Sequence, residues 1–456
     1  MNVEFGTDGW RTSVEEFTEP RIRAVGQAVA DHLRREGEGA PVAVGYDPRE
    51  GSRAAAGELT RVLRVNGFDA LVAGRDTPTP VVAWTVTDRG LSGALQVTAS
   101  HNPPTDNGIK FVPSGGAPAL PEVTDRLSES LRPPEPLPED RWGSVRETDL
   151  IGPYLDHALS FVDADLDGVA VAYDAMHGSG SGVTDELLAR AGADVTRRRA
   201  ERDPEFGGGA PEPTADRLGG LISEVEGDGA ELGLANDGDS DRLAVVTPER
   251  GVVDPNWLFA VLYEYLLETG GGDVVRSVST TALLDRIAEA NGHTAHETPV
   301  GFKWIADRMG KGDVLVGGEE SGGFGITEHL RNKDGVLVAS VLTAAHVSEP
   351  LDDRLDRLRR TYGDIAQGRR SIDCPDDRKG AVLDRLDAEL PETVAGSGVD
   401  RVGRTDGFKL FLQEGSWLLV RPSGTEPKLR VYAEAGSDGR AEELLSAGVA
   451  LLEPII

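Results

Sequence analysis

One pattern recurs three times along the chain and limits the folds open to it: an apolar strand, a polar loop, an amphipathic helix that ends at a glycine or an Asn-Gly pair, and a second strand. The three copies begin at Val42, Val169 and Asp273. This order is typical of a βαβ unit, in which a right-handed helical crossover joins two parallel strands. The repetition predicts three related α/β domains, each with its functional loop at the carboxyl end of a strand.

The last part of the chain follows a different pattern. A helix is predicted over 379–390, short strands over 407–412, 417–420 and 429–433, and a terminal helix after them. This order indicates a smaller α+β domain. Proline-rich or polar stretches separate the segments, so the sequence predicts four domains, at residues 1–145, 146–250, 251–365 and 366–456.

The composition excludes several classes of function. The 456 residues carry a net charge of −31, and the acids are spread along the chain, which favours adaptation to high salt over the docking of a basic partner. Binding of nucleic acid is not expected for so acidic a chain. The one cysteine, Cys374, excludes an intrachain disulfide and a cysteine-rich zinc site. The longest apolar run, 257–267, is too short to span a membrane, and we expect a cytoplasmic protein.

A serine follows the apolar, strand-like run 93–98. This residue, Ser100, has His101 as its neighbour, and Lys110 comes a few residues later. The placement exposes a hydroxyl at the carboxyl end of a sheet, where open α/β folds carry out their chemistry. Taken alone, a Ser-His pair on a loop is more often a hydrogen-bonded turn than a nucleophile. A catalytic interpretation therefore depends on the other loops.

Three aspartates stand at alternate positions after a later strand-like run, 231–235. They are Asp237, Asp239 and Asp241, and charges ~4 Å apart repel by roughly 4 kcal/mol per pair at an effective dielectric of 20. A compact loop therefore needs a cation, and all-oxygen ligands favour Mg²⁺ or Ca²⁺. A calcium loop of the helix-loop-helix type is excluded, because Arg242 and Pro248 occupy the positions of its glycine and its bidentate glutamate. A solvated acidic turn remains the alternative.

Two further loops offer polar groups for a ligand. The glycine-flanked loop 317–323 presents Glu319 and Ser321, a combination that suits paired sugar hydroxyls but is weak on its own. The loop 421–427 contains the parts of a phosphate site, with more charge just beyond it: Arg421, Ser423, Gly424, Thr425 and Arg430. No Walker loop and no Gly-x-Gly-x-x-Gly occurs, so a nucleotide or dinucleotide site is not indicated.

With these four loops in this order, the chain resembles the α-D-phosphohexomutase superfamily, which includes phosphoglucomutase and phosphomannomutase. The resemblance covers the chain from end to end. It implies four domains around a central cleft and the interconversion of hexose 1-phosphate and hexose 6-phosphate, of glucose and/or mannose. It also implies an enzyme phosphoserine, a bound hexose 1,6-bisphosphate and one Mg²⁺ per chain. The expected partners are small-molecule sugar phosphates, and the chain could be a monomer or a homo-oligomer.

The resemblance also implies roles for single residues. Ser100 matches the phosphorylated serine, and a phosphoryl oxygen on it would join the three aspartates as a metal ligand. Arg11 and Arg242 match arginines near the phosphoryl group. Residues matched to the reacting centre are His101, Lys110 and Lys303, of which Lys110 is our candidate general acid/base. Glu319 and Ser321 match the pair that reads the 3- and 4-hydroxyls, and the 421–425 loop matches the one that holds the distal phosphate. Residues matched to substrate contacts of some members are His329 and Lys333.

Alternatives to this function remain open. Gly323 stands where several subfamilies carry a histidine, which favours a phosphoglucomutase/phosphomannomutase over a phosphoglucosamine mutase. A metal-dependent sugar-phosphate phosphatase would transfer the phosphoryl group to water, and the distal-phosphate loop argues against it. A non-catalytic scaffold predicts lost motif residues, and none is lost at the four loops.

Overall fold

The computed structural model describes residues 3–6, 8–227, 229–424 and 426–456. Its first domain is built on a six-stranded sheet in the described part of the chain. The strands are β1 (Trp10–Ser13), β2 (Val42–Tyr46), β3 (Ala70–Ala73), β4 (Gly93–Val97), β5 (Asp106–Pro113) and β6 (Val145–Thr148). The helices are α1 (Glu19–Arg35), α2 (Ser52–Val65), α3 (Thr79–Asp88) and α4 (Pro121–Glu129). The strand order is β1-β5-β4-β2-β3-β6.

Parallel and antiparallel pairs coexist in this sheet. Strand β2 is parallel to β3 and β4, and α2 connects β2 to β3, which confirms the first predicted βαβ unit. Strand β5 returns antiparallel to β4 and pairs with β1 at the edge. Because β4 is central and fully buried, the loop that follows it with Ser100 is held on a rigid base.

The second domain has the same arrangement around a shorter sheet. Its strands are β7 (Ala170–Asp174), β8 (Asp194–Arg198), β9 (Leu232–Asn236), β10 (Leu243–Thr247) and β11 (Gly251–Val252). Its helices are α5 (Ile151–Val162), α6 (Thr184–Arg190) and α7 (Gly219–Glu226). The order is β11-β10-β9-β7-β8, with β7 parallel to both β8 and β9. The three aspartates lie in the turn between β9 and its antiparallel neighbour β10.

The third domain repeats the parallel pair once more. Its strands are β12 (Asp273–Ser277), β13 (Ala295–Thr298), β14 (Val314–Gly318) and β15 (Phe324–Ile326). Its helices are α8 (Pro255–Thr269), α9 (Leu283–Ala290), α10 (Phe302–Met309), α11 (Gly335–Ser348) and α12 (Leu351–Tyr362). The order is β13-β12-β14-β15, and β12 is parallel to β13 and β14. All three predicted βαβ units are thereby confirmed.

One helix joins the second and third domains. Helix α11 is apolar on every side, and its residues are buried from Gly335 to Ala345. A helix of this kind needs apolar neighbours all round, and α11 packs against α5, α6 and α8. No helix in the described ranges is long and apolar enough to cross a membrane.

The fourth domain is an antiparallel sheet with helices and a core of its own. Its elements are β16 (Ala366–Asp373), α13 (Asp376–Ala388), β17 (Thr393–Val394), β18 (Ser397–Gly403), β19 (Phe408–Leu412), β20 (Trp417–Pro422), β21 (Lys428–Ala435) and α14 (Asp438–Leu452). The order is β16-β21-β20-β19-β18-β17. The predicted α+β class is confirmed, whereas β16, β17 and β18 were not predicted. Strand β17 has only two residues. Strands β16 and β18 contain several polar residues and are only half-buried, so they lack the apolar run of a central strand.

A buried lysine lies where the fourth domain meets the third. Lys409 donates to the carbonyl of Val278 at 2.7 Å and to Glu297 at 2.9 Å, and its amine lies 4.2 Å from the centre of the Trp417 ring. These contacts fix β19 and β20 against the third domain. They thereby set the position of the loop after β20, which contains the predicted phosphate-binding residues.

Candidate active site

Ser100 adopts a strained backbone conformation in the loop after β4. Its φ of 53° lies in the left-handed region, where residues other than glycine are uncommon and often functional. Its amide donates to Thr98 Oγ1 at 2.8 Å, and its hydroxyl donates to Asp237 Oδ2 at 2.9 Å. The first and second domains therefore meet at the hydroxyl of Ser100.

The three aspartates form one buried cluster, in which a carboxylate oxygen of each lies within 4.8 Å of the others. The Oδ1 atoms of Asp239 and Asp241 have no hydrogen-bond partner among the described residues. Such orphaned buried oxygens are costly unless a cation satisfies them. The residues therefore fit a hard divalent cation, as the sequence predicts.

All three α/β domains contact the aspartate loop. Thr79, at the start of α3, donates its amide to the carbonyl of Asp239 and its hydroxyl to Asp239 Oδ2 at 2.6 Å. From the third domain, the amide of Gly335 donates to the carbonyl of Ser240. Ser240 itself has a φ of 61°, so this loop, like that of Ser100, is held in a strained conformation.

Electrostatic repulsion is concentrated on one of these carboxylates. Burial raises the pKa of Asp237 well above its usual range, and Asp239 and Asp241 raise it further. Asp239 shows the opposite shift: burial raises its pKa, but Lys110, Thr79 and Lys333 together lower it below its ordinary value. The positive charge of Arg242 offsets only part of the rise in the pKa of Asp237, and Asp237 is also the carboxylate that accepts from Ser100.

Lys110 lies inside the aspartate cluster. Its amine lies 2.8 Å from an oxygen of each of Asp239, Asp241 and Asp8. Burial lowers the pKa of Lys110, but these three carboxylates raise it well above its ordinary value. Lys110 is therefore a cation in this arrangement.

Other cationic residues lie around the aspartate cluster and the Ser100 loop. Lys333 contacts Asp241 at 2.8 Å and Asp8 at 3.2 Å, and Arg11 donates to Asn102 in the Ser100 loop at 3.0 Å. Arg242 donates its amide to Asp237 at 3.0 Å. Asp8, which sequence reasoning missed, joins Arg11, Lys110 and Lys333. It stands in a turn-rich stretch of which only the arginine was singled out.

His101 is neutral in this environment. Burial lowers the pKa of its ring to about 2, and the nearby Arg242 and Arg11 contribute. Its Nδ1 lies 3.4 Å from the Ser100 hydroxyl. The structure thus brings Ser100, its histidine neighbour and both predicted arginines to one place.

The sugar-loop candidate follows β14, and its two glutamates have different surroundings. Glu319 accepts from the amide of Gly301 at 2.9 Å, and burial, together with the charge of Glu320, raises its pKa to about 7. Glu320 instead accepts from the hydroxyls of Ser277, Ser279 and Thr280. Glu320 therefore fixes the loop, whereas Ser321 is exposed at its tip.

A glycine makes room for a lysine at the end of this loop. A Cβ at Gly323 would lie 2.5 Å from Cδ of Lys333. The absence of a side chain at this position lets Lys333 pass over the loop and reach Asp241. Gly323, at the position where several subfamilies carry a histidine, thus leaves the space that the Lys333 side chain fills in this chain.

The remaining candidates of the third domain differ in placement. Lys303 is half-buried in the first turn of α10, and burial lowers its pKa. The side chain of His329 is fully buried, with Nε2 at 2.8 Å from Asp334 and Nδ1 at 3.0 Å from His157 Nε2. Both ring nitrogens are thus occupied within the protein. This placement does not support the substrate contact that the resemblance implies for His329.

The phosphate-loop candidates stand at the end of β20 and the start of β21. Arg421 donates to Asp406 at 2.9 Å, and Asp406 also accepts from the amide of Val300 at 3.2 Å. Asp406, which sequence reasoning missed, therefore connects the arginine to the third domain. The backbone carbonyl of Ser423 accepts from Lys379 at 2.7 Å, and Gly424 is exposed.

Two other phosphate-loop predictions have different outcomes. Arg430 pairs with Glu426 at 2.6 Å, so part of its charge is already neutralised. Thr425 lies outside the described residues.

Comparisons with known proteins agree with this arrangement. Four family models match consecutive parts of the chain: phosphoglucomutase/phosphomannomutase alpha/beta/alpha domain I over residues 2–135, domain II over 152–251, domain III over 254–362 and the C-terminal domain over 372–450.

Three curated relatives align over nearly the whole chain. A phosphoglucomutase/phosphomannomutase of Thermococcus kodakarensis is 32% identical, and the alignment covers 99% of each chain. A probable phosphoglucosamine mutase of Methanopyrus kandleri is 31% identical, covering 97% of this chain and 96% of the relative. A phosphopentomutase of Thermococcus kodakarensis is 31% identical, covering 99% and 98%.

A solved structure shows the same fold. The crystal structure of a Thermus thermophilus protein assigned as a phosphomannomutase superposes with a TM-score of 0.86 at 30% identity, covering 99% of each chain. The chain therefore belongs to the phosphoglucomutase/phosphomannomutase family of the α-D-phosphohexomutase superfamily, and it is a phosphotransferase of the mutase type.

Proposed function

We propose that this enzyme interconverts hexose 1-phosphate and hexose 6-phosphate, of glucose and/or mannose, through a phosphoserine at Ser100 and a bound hexose 1,6-bisphosphate. The observation that carries the proposal is the contact of 2.9 Å between the Ser100 hydroxyl and Asp237 in the buried aspartate cluster. This contact places a serine hydroxyl, which can carry a phosphoryl group, beside carboxylates that would hold a cation. Phosphoryl transfer needs such a combination of positioning and charge neutralisation.

In the first step, the phosphoryl group moves from Ser100 Oγ to the free hydroxyl of a bound hexose 1-phosphate. The Oγ–P bond breaks, a sugar O–P bond forms, and the proton of the sugar hydroxyl must be accepted. The carboxylates of Asp237, Asp239 and Asp241 would hold Mg²⁺, which stabilises the charge of the phosphoryl group when bound. Lys110 remains our candidate for proton transfer: its charged amine would donate a proton to the departing Oγ, and the neutral amine left by that donation would accept the proton of the sugar hydroxyl.

The second step needs the bisphosphate to present its other phosphoryl group to Ser100. Glu319 and Ser321 would hold the ring through its hydroxyls, and Arg421, Ser423, Gly424 and Thr425 would hold the phosphate that does not react. Both orientations can use the same two loops, because these loops bind groups present in either pose. Transfer of this other phosphoryl group forms the Oγ–P bond and breaks the bond to the sugar O1, which takes up the proton that Ser100 Oγ releases. Hexose 6-phosphate and the starting phosphoenzyme result.

A substrate panel tests the proposal. Turnover of the 1-phosphates of glucose, mannose, glucosamine and ribose is measured with Mg²⁺ and catalytic hexose 1,6-bisphosphate in molar potassium chloride, a condition suited to the net charge of −31. We expect kcat/KM for glucose or mannose to exceed that for the other two by about tenfold or more. Preference for glucosamine or ribose would overturn the substrate assignment. Release of inorganic phosphate without isomerised sugar would indicate a phosphatase.

The raised pKa of Glu319 predicts how substrate binding depends on pH. Because its pKa is about 7, the carboxylate that accepts sugar hydroxyls forms as the pH rises from about 6 to about 8, and KM should fall over that interval. Glu319→Gln should weaken binding about 10- to 100-fold and remove this part of the pH dependence. The exposed Glu328→Gln serves as control, and the titration of the substrate phosphate is common to all variants. An identical pH profile for Glu319→Gln and wild type would contradict this role.

A further inference from the structure

An arginine that no proposed step uses is buried directly behind the Ser100 loop. Arg49, in the loop after β2, has a relative exposure of 1%. Its NH1 donates to the carbonyls of Pro103 and Asp106 at 2.6 and 2.9 Å. Its NH2 donates to the carbonyls of Ser100 and Asn102 at 2.6 and 2.7 Å. Its Nε donates to Asp47 at 2.9 Å. All five N–H groups of the guanidinium are thereby used, four of them on one loop.

Asp47 links the same arginine to the backbone of the serine. Its Oδ2 accepts from Arg49 Nε and, at 2.7 Å, from the hydroxyl of Thr98. Thr98 Oγ1 in turn accepts from the amide of Ser100 at 2.8 Å. The other oxygen, Oδ1, accepts from the hydroxyl of Ser52. The peptide groups on both sides of Ser100 are therefore held by this pair, the amide through Thr98 and the carbonyl by Arg49 directly.

This arrangement explains how the strained backbone at Ser100 is maintained. A left-handed φ of 53° persists only where the surroundings determine it. In a trans peptide the N–H is antiparallel to the C=O. Because the Ser100 carbonyl points at Arg49, the amide of His101 points away from the guanidinium. Arg49 thus sets the direction of the loop's peptide groups as well as its position.

The face of the guanidinium contacts the second domain. Its central carbon lies 4.9 Å from the centre of the Phe206 ring, which is buried and belongs to the loop 203–208. Asp203 fixes that loop by accepting from the amides of Glu205 and Gly207. Arg49 therefore bridges the loop of Ser100 and the domain that contributes the three aspartates.

We propose that Arg49 is a positioning residue, which holds the Ser100 loop so that Oγ stays aligned with the aspartate cluster and with the incoming sugar hydroxyl. This inference rests on the proposed mutase function. Lysine keeps the charge but cannot reproduce the five-donor fork. Loss of the fork should misalign the phosphoryl donor while leaving the sugar and distal-phosphate loops unchanged.

The test compares Arg49→Lys with Arg354→Lys. Arg354 is an equally buried arginine on α12 of the third domain, where it pairs with Glu264 and Glu268. For each variant, kcat, KM, Tm and the partition of phosphoryl groups between sugar and water are measured. We expect Arg49→Lys to lower kcat about 100-fold with KM within about threefold, and to raise the fraction transferred to water. Arg354→Lys should lower Tm without changing the partition.

Unchanged kcat and partition in folded Arg49→Lys, or the same changes in Arg354→Lys, would overturn the inference. If Arg49→Lys does not fold, Phe206→Leu decides, because it keeps the fork and removes only the ring. It should lower kcat about threefold to tenfold and shift the partition toward water, and an unchanged partition would overturn the inference. Turnover by the wild-type enzyme distinguishes failure of this inference from failure of the proposed function. If the wild type converts none of the sugar phosphates, the proposed function itself is rejected.

Discussion

Ser100→Ala is expected to lower kcat/KM for hexose 1-phosphate by about 10⁵-fold or more. The variant loses the oxygen that accepts and returns the phosphoryl group, and no other hydroxyl among the described residues donates to Asp237. Folding should be unaffected, because the hydroxyl has few other contacts. The measurement is a coupled assay of glucose 6-phosphate formation in the presence of hexose 1,6-bisphosphate.

Ser92→Ala is the matched control for this substitution. Ser92 is a buried serine of the same domain, and its hydroxyl donates to the carbonyl of Ala40 away from the site. It should retain wild-type turnover. Activity in Ser100→Ala within about tenfold of wild type would show that the phosphoryl group is not transferred through Ser100.

Asp237→Asn is expected to separate metal binding from folding. Because burial and two neighbouring carboxylates raise the pKa of Asp237, its charge destabilises the metal-free protein at neutral pH, above its usual pKa. Removal of that charge should leave Tm in EDTA equal or higher. It should also abolish the rise in Tm that Mg²⁺ gives by binding the folded state, and lower kcat by about 10³-fold.

The control is Asp174→Asn in the same domain. Asp174 is buried and holds Arg199 through two hydrogen bonds, so its loss should lower Tm while the Mg²⁺-dependent rise persists. A Mg²⁺-dependent rise in Tm that remained in Asp237→Asn, or that disappeared equally in Asp174→Asn, would contradict the assignment of the aspartate cluster as the cation site.

The sequence predicted what local patterns encode. Hydrophobic periodicity and glycine stops gave the three βαβ units, and the charge pattern gave the aspartate loop with its need for a cation. Strands β16 and β18 were not predicted, because the residues of a half-buried strand do not form an apolar run. The order of the four loops indicated the family, which the comparisons confirm.

Contacts between distant segments could not be predicted in the same way. In the sequence, Arg49 is one residue of a polar loop. Only the fold brings it to the carbonyls of Ser100 and Asp106, more than fifty positions away. Asp8 and Asp406 likewise each gain one partner from another domain, Lys333 and the amide of Val300 respectively. His329 shows the converse, since a histidine matched to a substrate contact is instead enclosed with Asp334 and His157.

The central claim is that Ser100 gives a phosphoryl group to the sugar and receives one back from it. Hexose 1,6-bisphosphate with radioactive phosphorus is incubated with the enzyme, the labelled peptide is identified, and unlabelled glucose 1-phosphate is then added. The account predicts label on Ser100 that the second addition removes entirely into sugar phosphate. Label on another residue, or label released as inorganic phosphate, would contradict it.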